Sequence, residues 1–173
     1  MRLAPPLAAL LATTLLFAPP SPAAGVREGV LPLSAFPREP LVVETRSARR
    51  HAFEAWRAET DAEKMQGLMF VRDIEPNQAM IFVYDPPQHA AMWMKNTLLT
   101  LDMLFVDAAG CVLRIERDAR PGSLDTIRSG APVALVVELK GGTAKALGIA
   151  NGDRVRRPAV DWPPPGLPCT TGR

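Results

Sequence analysis

Ala79-Met80-Ile81-Phe82-Val83-Tyr84 is the stretch that decides the fold of this chain. It is a continuous apolar run of strand length, and most of its members are β-branched or aromatic. Asp85-Pro86-Pro87 follows it and is expected to end the strand, because proline cannot donate a hydrogen bond to a sheet. We therefore predict a β-strand over residues 79–84.

Similar strand patterns lie on both sides of this run. Asp107-Ala108-Ala109-Gly110 separates two of them and is typical of a hairpin turn. The predicted strands before the 79–84 run are residues 41–44 and 51–58. Those after the run are residues 90–96, 101–106, 111–116 and 133–139.

Helix signals are fewer. Thr60-Asp61-Ala62-Glu63 is a capping box, which predicts a helix from Glu63 to about Leu68. Thr143 is expected to cap a second helix over residues 144–147 that ends at Gly148. About seven short strands and two short helices predict a mainly β (α+β) fold, a small partly closed β-barrel. The order of the strands cannot be read from the sequence.

The N-terminal segment predicts export. Arg2, a short apolar run over residues 7–18 and small residues before Gly25 form the three parts of a secretory signal peptide. The apolar run is shorter than the roughly 20 residues that span a membrane. We expect residues 1–24 to be a cleaved signal peptide and residues 25–40 a linker or loosely docked arm. The mainly-β domain would cover 41–157 and a Pro-rich tail 158–173, in a periplasmic or secreted protein with no stable membrane span after cleavage.

Charge and cysteine content narrow the possible partners. The chain has 20 basic and 18 acidic residues, a balance that does not favour nucleic acid as a partner. Cys111 and Cys169 are its two cysteines, and in an oxidising compartment they predict a disulfide that ties the tail to the domain. Two unrelated thiols are the alternative. The sequence does not indicate an oligomeric state.

Four stretches together carry a family resemblance. They are E-K-M-Q-G-L-M-F (63–70), W-M-K-N-T (93–97), L-D-M-L-F-V (101–106) and the segment from Glu138 to Val155. Over about residues 52–156 the chain resembles DUF192, an uncharacterised conserved family. The resemblance implies a small, mainly-β and often exported domain, and it implies no activity or cofactor.

A group of polar residues is the candidate binding site. If residues 90–96 form a strand, Trp93 and Lys95 share one face, while Met92, Met94 and Asn96 share the other. Tryptophan would supply a stacking wall, and the lysine ammonium would attract an anion. A short connection would place Asp102 beside Lys95 or Asn96. The predicted ligand-binding set is Trp93, Lys95, Asn96, Asp102, Arg72 and Glu138.

The same residues also fit a structural network. Lys95 or Arg72 would then pair with Asp102 or Glu138, since an unpaired buried charge is costly. The first functional hypothesis is a non-enzymatic binding or accessory module of the cell envelope, for a small anionic or polar ligand or an envelope component. The alternative is an envelope enzyme acting on carbohydrate or peptide, with Asp102 or Glu138 as general base.

Copper binding is a third hypothesis. Met92, Met94 and His89 lie close together in the sequence, and thioether sulfur favours Cu(I). Methionine is also a common gap filler in apolar cores, so core packing is the preferred interpretation. No metal ligand, cofactor or catalytic residue is therefore predicted.

Overall fold

The structure, a computed structural model, describes residues 29–163 and residue 169. The predicted signal peptide and most of the Pro-rich tail lie outside these residues. The strands are β1 (Arg38–Glu44), β2 (Arg50–Ala58), β3 (Gln78–Met92), β4 (Leu101–Val106), β5 (Val112–Ala119), β6 (Ile127–Lys140) and β7 (Arg154–Arg156). The two α-helices are α1 (Asp61–Gln66) and α2 (Thr143–Leu147).

The strands form one curled sheet in the order β5-β4-β6-β3-β2-β1-β7. Only the β2–β3 pair is parallel within this sheet, and the segment that contains α1 makes the crossover that parallel strands require. A bridge between Cys111 and Arg154 joins the start of β5 to β7, so the two edges of the sheet meet at one end. The predicted mainly-β, partly closed barrel with two short helices is confirmed.

Both faces of the central strands are buried. In β3, Met80 and Phe82 belong to one apolar cluster and Ala79 and Ile81 to the other. We call the first side the α1 face, because Leu68 directly after α1 packs there, and the second the α2 face, which Ala144 and Ile149 cover. Burial on both faces explains why β3, β4 and β6 contain continuous apolar runs rather than alternating patterns.

The predicted ends of the strands over residues 79–84 and 90–96 are wrong. Strand β3 does not stop at Asp85-Pro86-Pro87 but continues to Met92. The prolines are tolerated because the pairing of β3 with β6 is interrupted between Val83 and Gln88, where no ladder hydrogen bond is lost. The predicted strand over residues 90–96 ends at Met92, and Asn96 lies in a turn with a φ of 56°.

The two helices differ in how their first turns are capped. The capping box of Thr60 and Glu63 is present at α1. The predicted cap at Thr143 is wrong, because Gly142 precedes the helix and the Asp102 carboxylate accepts the Ala144 N–H at 2.8 Å. The hairpin turn after β4 is confirmed, since Asp107 Oδ1 accepts the N–H groups of Ala109 and Cys111.

The chain ends of the described part are held to the barrel. Cys111 and Cys169 form the predicted disulfide across a sequence separation of 58 residues. At the other end, Phe36 is buried on the α1 face and β1 begins at Arg38, inside the stretch expected to be an arm. Among the described residues, no helix has the length and apolar character needed to cross a membrane.

Candidate functional site

Glu138 is a buried carboxyl group in the middle of the sheet. It lies on β6 between Met80 of β3 and Met103 of β4, its direct cross-strand neighbours on the α1 face. The residue is 4 % exposed, and its enclosed Oε2 atom has no hydrogen-bond partner among the described residues. Burial raises the pKa of Glu138 to about 8, so the carboxyl is mainly protonated at neutral pH.

Glu39, the other buried glutamate among the described residues, is held by arginine side chains. Glu39 binds Arg157 through both oxygens, at 2.5 Å and 3.0 Å, and also pairs with Arg57 at 2.9 Å. Burial acts to raise the pKa of Glu39, but the hydrogen bonds from Arg157 and Arg57 outweigh it and the pKa is lowered. Glu138 has no such partner in the described part of the chain, so it is not explained as a member of a structural ion pair.

A small cavity lies beside Glu138 on the α1 face. Its volume is about 20 Å³, which is room for about one water-sized group. Apolar side chains form much of its wall, and three thioethers are among them. The lining residues are Lys64, Met65, Gln66, Gly67, Leu68, Met69, Phe82, Met92, Trp93, Lys95, Thr97 and Glu138.

Two lysines line the same cavity without a carboxylate partner. The Lys64 ammonium lies 4.9 Å from the centre of the Tyr84 ring, and the Lys95 ammonium 5.3 Å from that of Trp93. In the described part of the chain, the lysine that forms an ion pair is Lys140, with Asp73. The cavity therefore combines a neutral acid with two ammonium groups that do not contact it.

The turn after β3 is what brings these groups together. Asn96 adopts a left-handed conformation, and its carbonyl accepts the Phe70 N–H at 2.9 Å. A bridge between Met69 and Thr97 adds a second link between this turn and the segment after α1. The turn thus places Trp93, Lys95 and Thr97 against residues that α1 presents.

Gly67 is required at the end of α1. Its φ is 48°, and a Cβ atom at this position would lie 2.9 Å from Phe82 Cζ in the cavity wall. Glycine both permits this backbone conformation and lets the helix end lie against the sheet. The close approach keeps the cavity narrow.

The structure brings together only part of the predicted ligand-binding set. Trp93, Lys95 and Glu138 line the cavity, and the Asn96 amide donates weakly to the Met69 sulfur, 3.8 Å away. Arg72 is exposed and does not line the cavity. The strand periodicity also grouped Asn96 with the methionines, whereas Asn96 is exposed and Met94 is fully buried.

Asp102 lies on the opposite side of the sheet. It faces Leu139 across the β4–β6 pair and is therefore on the α2 face, whereas Glu138 is on the α1 face. Its two oxygens accept the N–H groups of Asp118 at 2.9 Å and Ala144 at 2.8 Å. The expected neighbourhood of Asp102 with Lys95 or Asn96 is wrong, because one residue of register sends a side chain to the other face.

The residues of the copper hypothesis are dispersed. Met92 lines the cavity, Met94 is buried in the core, and His89 is exposed on β3. No group of three His, Cys, Asp or Glu side chains able to hold a metal is present among residues 29–163 and 169.

Sequence reasoning missed the contribution of α1 and of the segment directly after it. Lys64, Met65, Gln66 and Met69 line the cavity but were not selected as site residues. The signal that identifies them was present, since they belong to the E-K-M-Q-G-L-M-F stretch.

Comparison with known proteins places this architecture in a family. Residues 42–157 match DUF192, described as an uncharacterized ACR. The chain belongs to the DUF192 family. Three of the four stretches on which the DUF192 resemblance rests contribute to the cavity, namely those that hold Lys64–Met69, Trp93–Thr97 and Glu138.

Two solved structures share the DUF192 chain's fold. One is a protein named as a candidate transcription regulator from Sinorhizobium meliloti 1021, with a TM-score of 0.70, 38% identity, and coverage of 71% of this chain and 95% of that chain. The other is a protein of unknown function from Novosphingobium aromaticivorans DSM 12444, with a TM-score of 0.70, 36% identity, and coverage of 78% and 94%. Comparison with curated proteins gave no match.

Proposed function

We propose that this protein is an exported binding module whose Glu138 cavity takes the anionic group of a small ligand. The observation that carries the proposal is the unpartnered, buried carboxyl of Glu138 in a cavity that two unpaired lysines also line. A protonated carboxyl can donate a hydrogen bond, and an anionic acceptor makes that bond stronger than a neutral one.

The charges around the cavity favour an anion over a cation. A cationic ligand would have to approach the Lys64 and Lys95 ammonium groups and would bind best only after Glu138 had lost its proton. An anion would instead be attracted by both lysines and would accept the proton of the neutral acid. Trp93 would then form the wall, as the sequence suggested.

Export is the second part of the proposal. It is supported by the signal-peptide pattern of residues 1–24 and by the Cys111–Cys169 disulfide, a bond that persists in oxidising compartments. The near balance of 20 basic and 18 acidic residues gives no support for carrying over the transcription role named for the Sinorhizobium protein.

Acetate is the simplest probe. We would titrate acetate into the protein beginning at Gly25 and follow the Trp93 indole and lysine side-chain signals by NMR, at pH 6 and pH 9. Binding at pH 6 should weaken by about tenfold or more at pH 9, because ionised Glu138 repels the anion. Lys95→Ala should weaken binding at both pH values.

Glu138→Gln is the decisive variant, because glutamine keeps a hydrogen-bond donor but does not ionise. It should bind acetate with the same affinity at pH 6 and pH 9. Glu75→Gln, which changes an exposed glutamate, is the matched control and should behave like the parent. The proposal fails if acetate produces no shifts at pH 6, or if Glu138→Gln keeps the parent's pH dependence.

An envelope enzyme is the second candidate, and the raised pKa of Glu138 favours it. A carboxyl with a pKa of about 8 is suited to donate or accept a proton near neutral pH, and mainly to act as an acid below it. Asp102 has no place in such a reaction, since it lies on the α2 face with both oxygens occupied. Turnover of envelope carbohydrate or peptide that is abolished in Glu138→Gln would favour the enzyme over the binding module.

A further inference from the structure

Exposed apolar side chains collect around the segments that form the cavity. Met65 and Trp93 line it and are 67% and 45% exposed. Leu98 directly follows the lining residue Thr97, and Leu31 is held by two reciprocal hydrogen bonds between its backbone and the Gln66 side-chain amide. Leu124 follows Ser123, whose carbonyl accepts the Met94 N–H at 3.1 Å.

These five residues, which we call the apolar rim, account for nearly all of the large exposed hydrophobic side chains in the described chain. The remaining one is Val160, which lies after β7. Exposed apolar residues on segments that adjoin one polar cavity favour an interaction site, whereas exposed apolar residues scattered singly are ordinary surface. A ligand that fits here needs a small polar end and an apolar body.

We propose that the ligand is a peptide whose C-terminal carboxylate enters the Glu138 cavity while its last apolar side chains cover the rim. This inference rests on the proposed function and names the ligand class of the same site. A terminal carboxylate is a compact anion that accepts a hydrogen bond from protonated Glu138 and is attracted by Lys64 and Lys95.

The size of the cavity decides how much of the ligand enters. A volume of about 20 Å³ has room for about one water-sized group, such as one oxygen of a carboxylate, and not for a sugar ring, a nucleotide or an acyl chain. The rest of the ligand must therefore lie outside, against the rim. The five rim residues are 40–69% exposed, so they offer open contacts to the side chains of a peptide rather than an enclosed tunnel for a hydrocarbon chain.

A peptide panel tests the ligand class. The probes are acetyl-Ser-Ala-Leu-Leu with a free carboxylate, the same peptide as a C-terminal amide, acetyl-Ser-Ala-Ser-Ser with a free carboxylate, acetate and octanoate. Calorimetry at pH 6 on the protein beginning at Gly25 should show the apolar free acid binding about tenfold tighter than its amide, since the charge-assisted hydrogen bond is lost. The free acid of acetyl-Ser-Ala-Leu-Leu should also bind about tenfold tighter than acetyl-Ser-Ala-Ser-Ser and than acetate, because neither of these has apolar side chains to cover the rim.

A rim variant separates the rim from the cavity. Leu124→Ser should weaken the apolar free acid several-fold and leave acetate unchanged. Val160→Ser, at a site after β7 that is 53% exposed against 69% for Leu124, is the control and should change the binding of neither ligand.

Each contrary outcome identifies what has failed. Equal binding of the acid and the amide, or tighter binding of octanoate than of the peptide, overturns the peptide inference. If acetate and the polar peptide bind as tightly as the apolar peptide, the cavity takes small anions alone and only the proposed function stands. If no probe binds, both proposals fall.

Discussion

Glu138 is a carboxyl group that the folded chain surrounds with apolar side chains. Met80 and Met103 flank it across the sheet, and Leu68 and Phe82 share its cavity. These apolar surroundings stabilise the neutral, protonated form of the Glu138 carboxyl group. The energetic consequence is a dependence of stability on pH that can be measured without any ligand.

Glu138 should make the protein less stable as pH rises from 4.5 to about 8. In this interval the folded state holds a proton that the unfolded state has released, because the folded pKa is raised from 4.5 to about 8. The free energy of unfolding should therefore fall by up to about 1.4 kcal/mol per pH unit, and level off above the folded pKa. Urea unfolding at pH 5, 6, 7, 8 and 9 measures this slope.

Glu138→Gln should remove this part of the slope, whereas the exposed control Glu75→Gln should retain it. A parent slope that Glu138→Gln leaves unchanged would show that the carboxyl is not buried in its neutral form.

At the scale of elements, one side chain joins three of them. Asp102 on β4 accepts N–H groups from Asp118 on β5 and from Ala144 in the first turn of α2. The carboxylate does for α2 what a capping side chain normally does, since Gly142 at the cap position has none. The fixed start of α2 keeps Ala144 packed on the α2 face.

Asp102→Ala should destabilise the protein by about 3 kcal/mol or more, because the buried Ala144 N–H and the part-buried Asp118 N–H both lose their carboxylate acceptor. Lys95→Ala should change stability by less than about 0.5 kcal/mol, since the exposed ammonium lies over the Trp93 ring and forms no ion pair among the described residues. Urea midpoints of the two variants and the parent give the comparison. Near-equal effects of the two substitutions would contradict the assignment of Asp102 to structure and of Lys95 to the site.

At the scale of the whole molecule, the barrel is joined at one end by β7 and the disulfide. The Cys111–Arg154 bridge brings the start of β5 to β7, and Cys111 also holds Cys169. The covalent link therefore lies at the seam where the two edges of the curled sheet meet. The Glu138 cavity is on the α1 face of the central strands, so the bond and the site are expected to act independently.

The double variant Cys111→Ser/Cys169→Ser should lose up to about 4 kcal/mol of stability, the chain-entropy contribution of a loop of this length. Acetate binding at pH 6 should be unchanged. Thermal unfolding with and without a reductant supplies the internal control, because the reductant should lower the melting temperature of the parent and not that of the variant. A parent that melts at the same temperature after full reduction would contradict the prediction.

The sequence by itself determined the class of fold and the disulfide pair, and it predicted part of the candidate site. Apolar runs of strand length, the Thr60–Glu63 capping box and the turn at Asp107–Gly110 are local signals, and each is confirmed. Trp93 and Lys95 were predicted to lie together from their spacing of two residues, and the Lys95 ammonium does lie over the Trp93 ring, although the strand ends before them and Lys95 is in a turn.

Only the tertiary structure decided which polar residues meet. Asp102 and Glu138 are on adjacent strands, yet the register of β4 against β6 sends them to opposite faces. The contribution of Lys64 to the cavity depends on the packing of α1 beside the turn after β3, which no local pattern specifies. Strand pairing and helix packing are long-range interactions. They decide which distant residues lie on the same face of the sheet, and therefore which residues make up the candidate site.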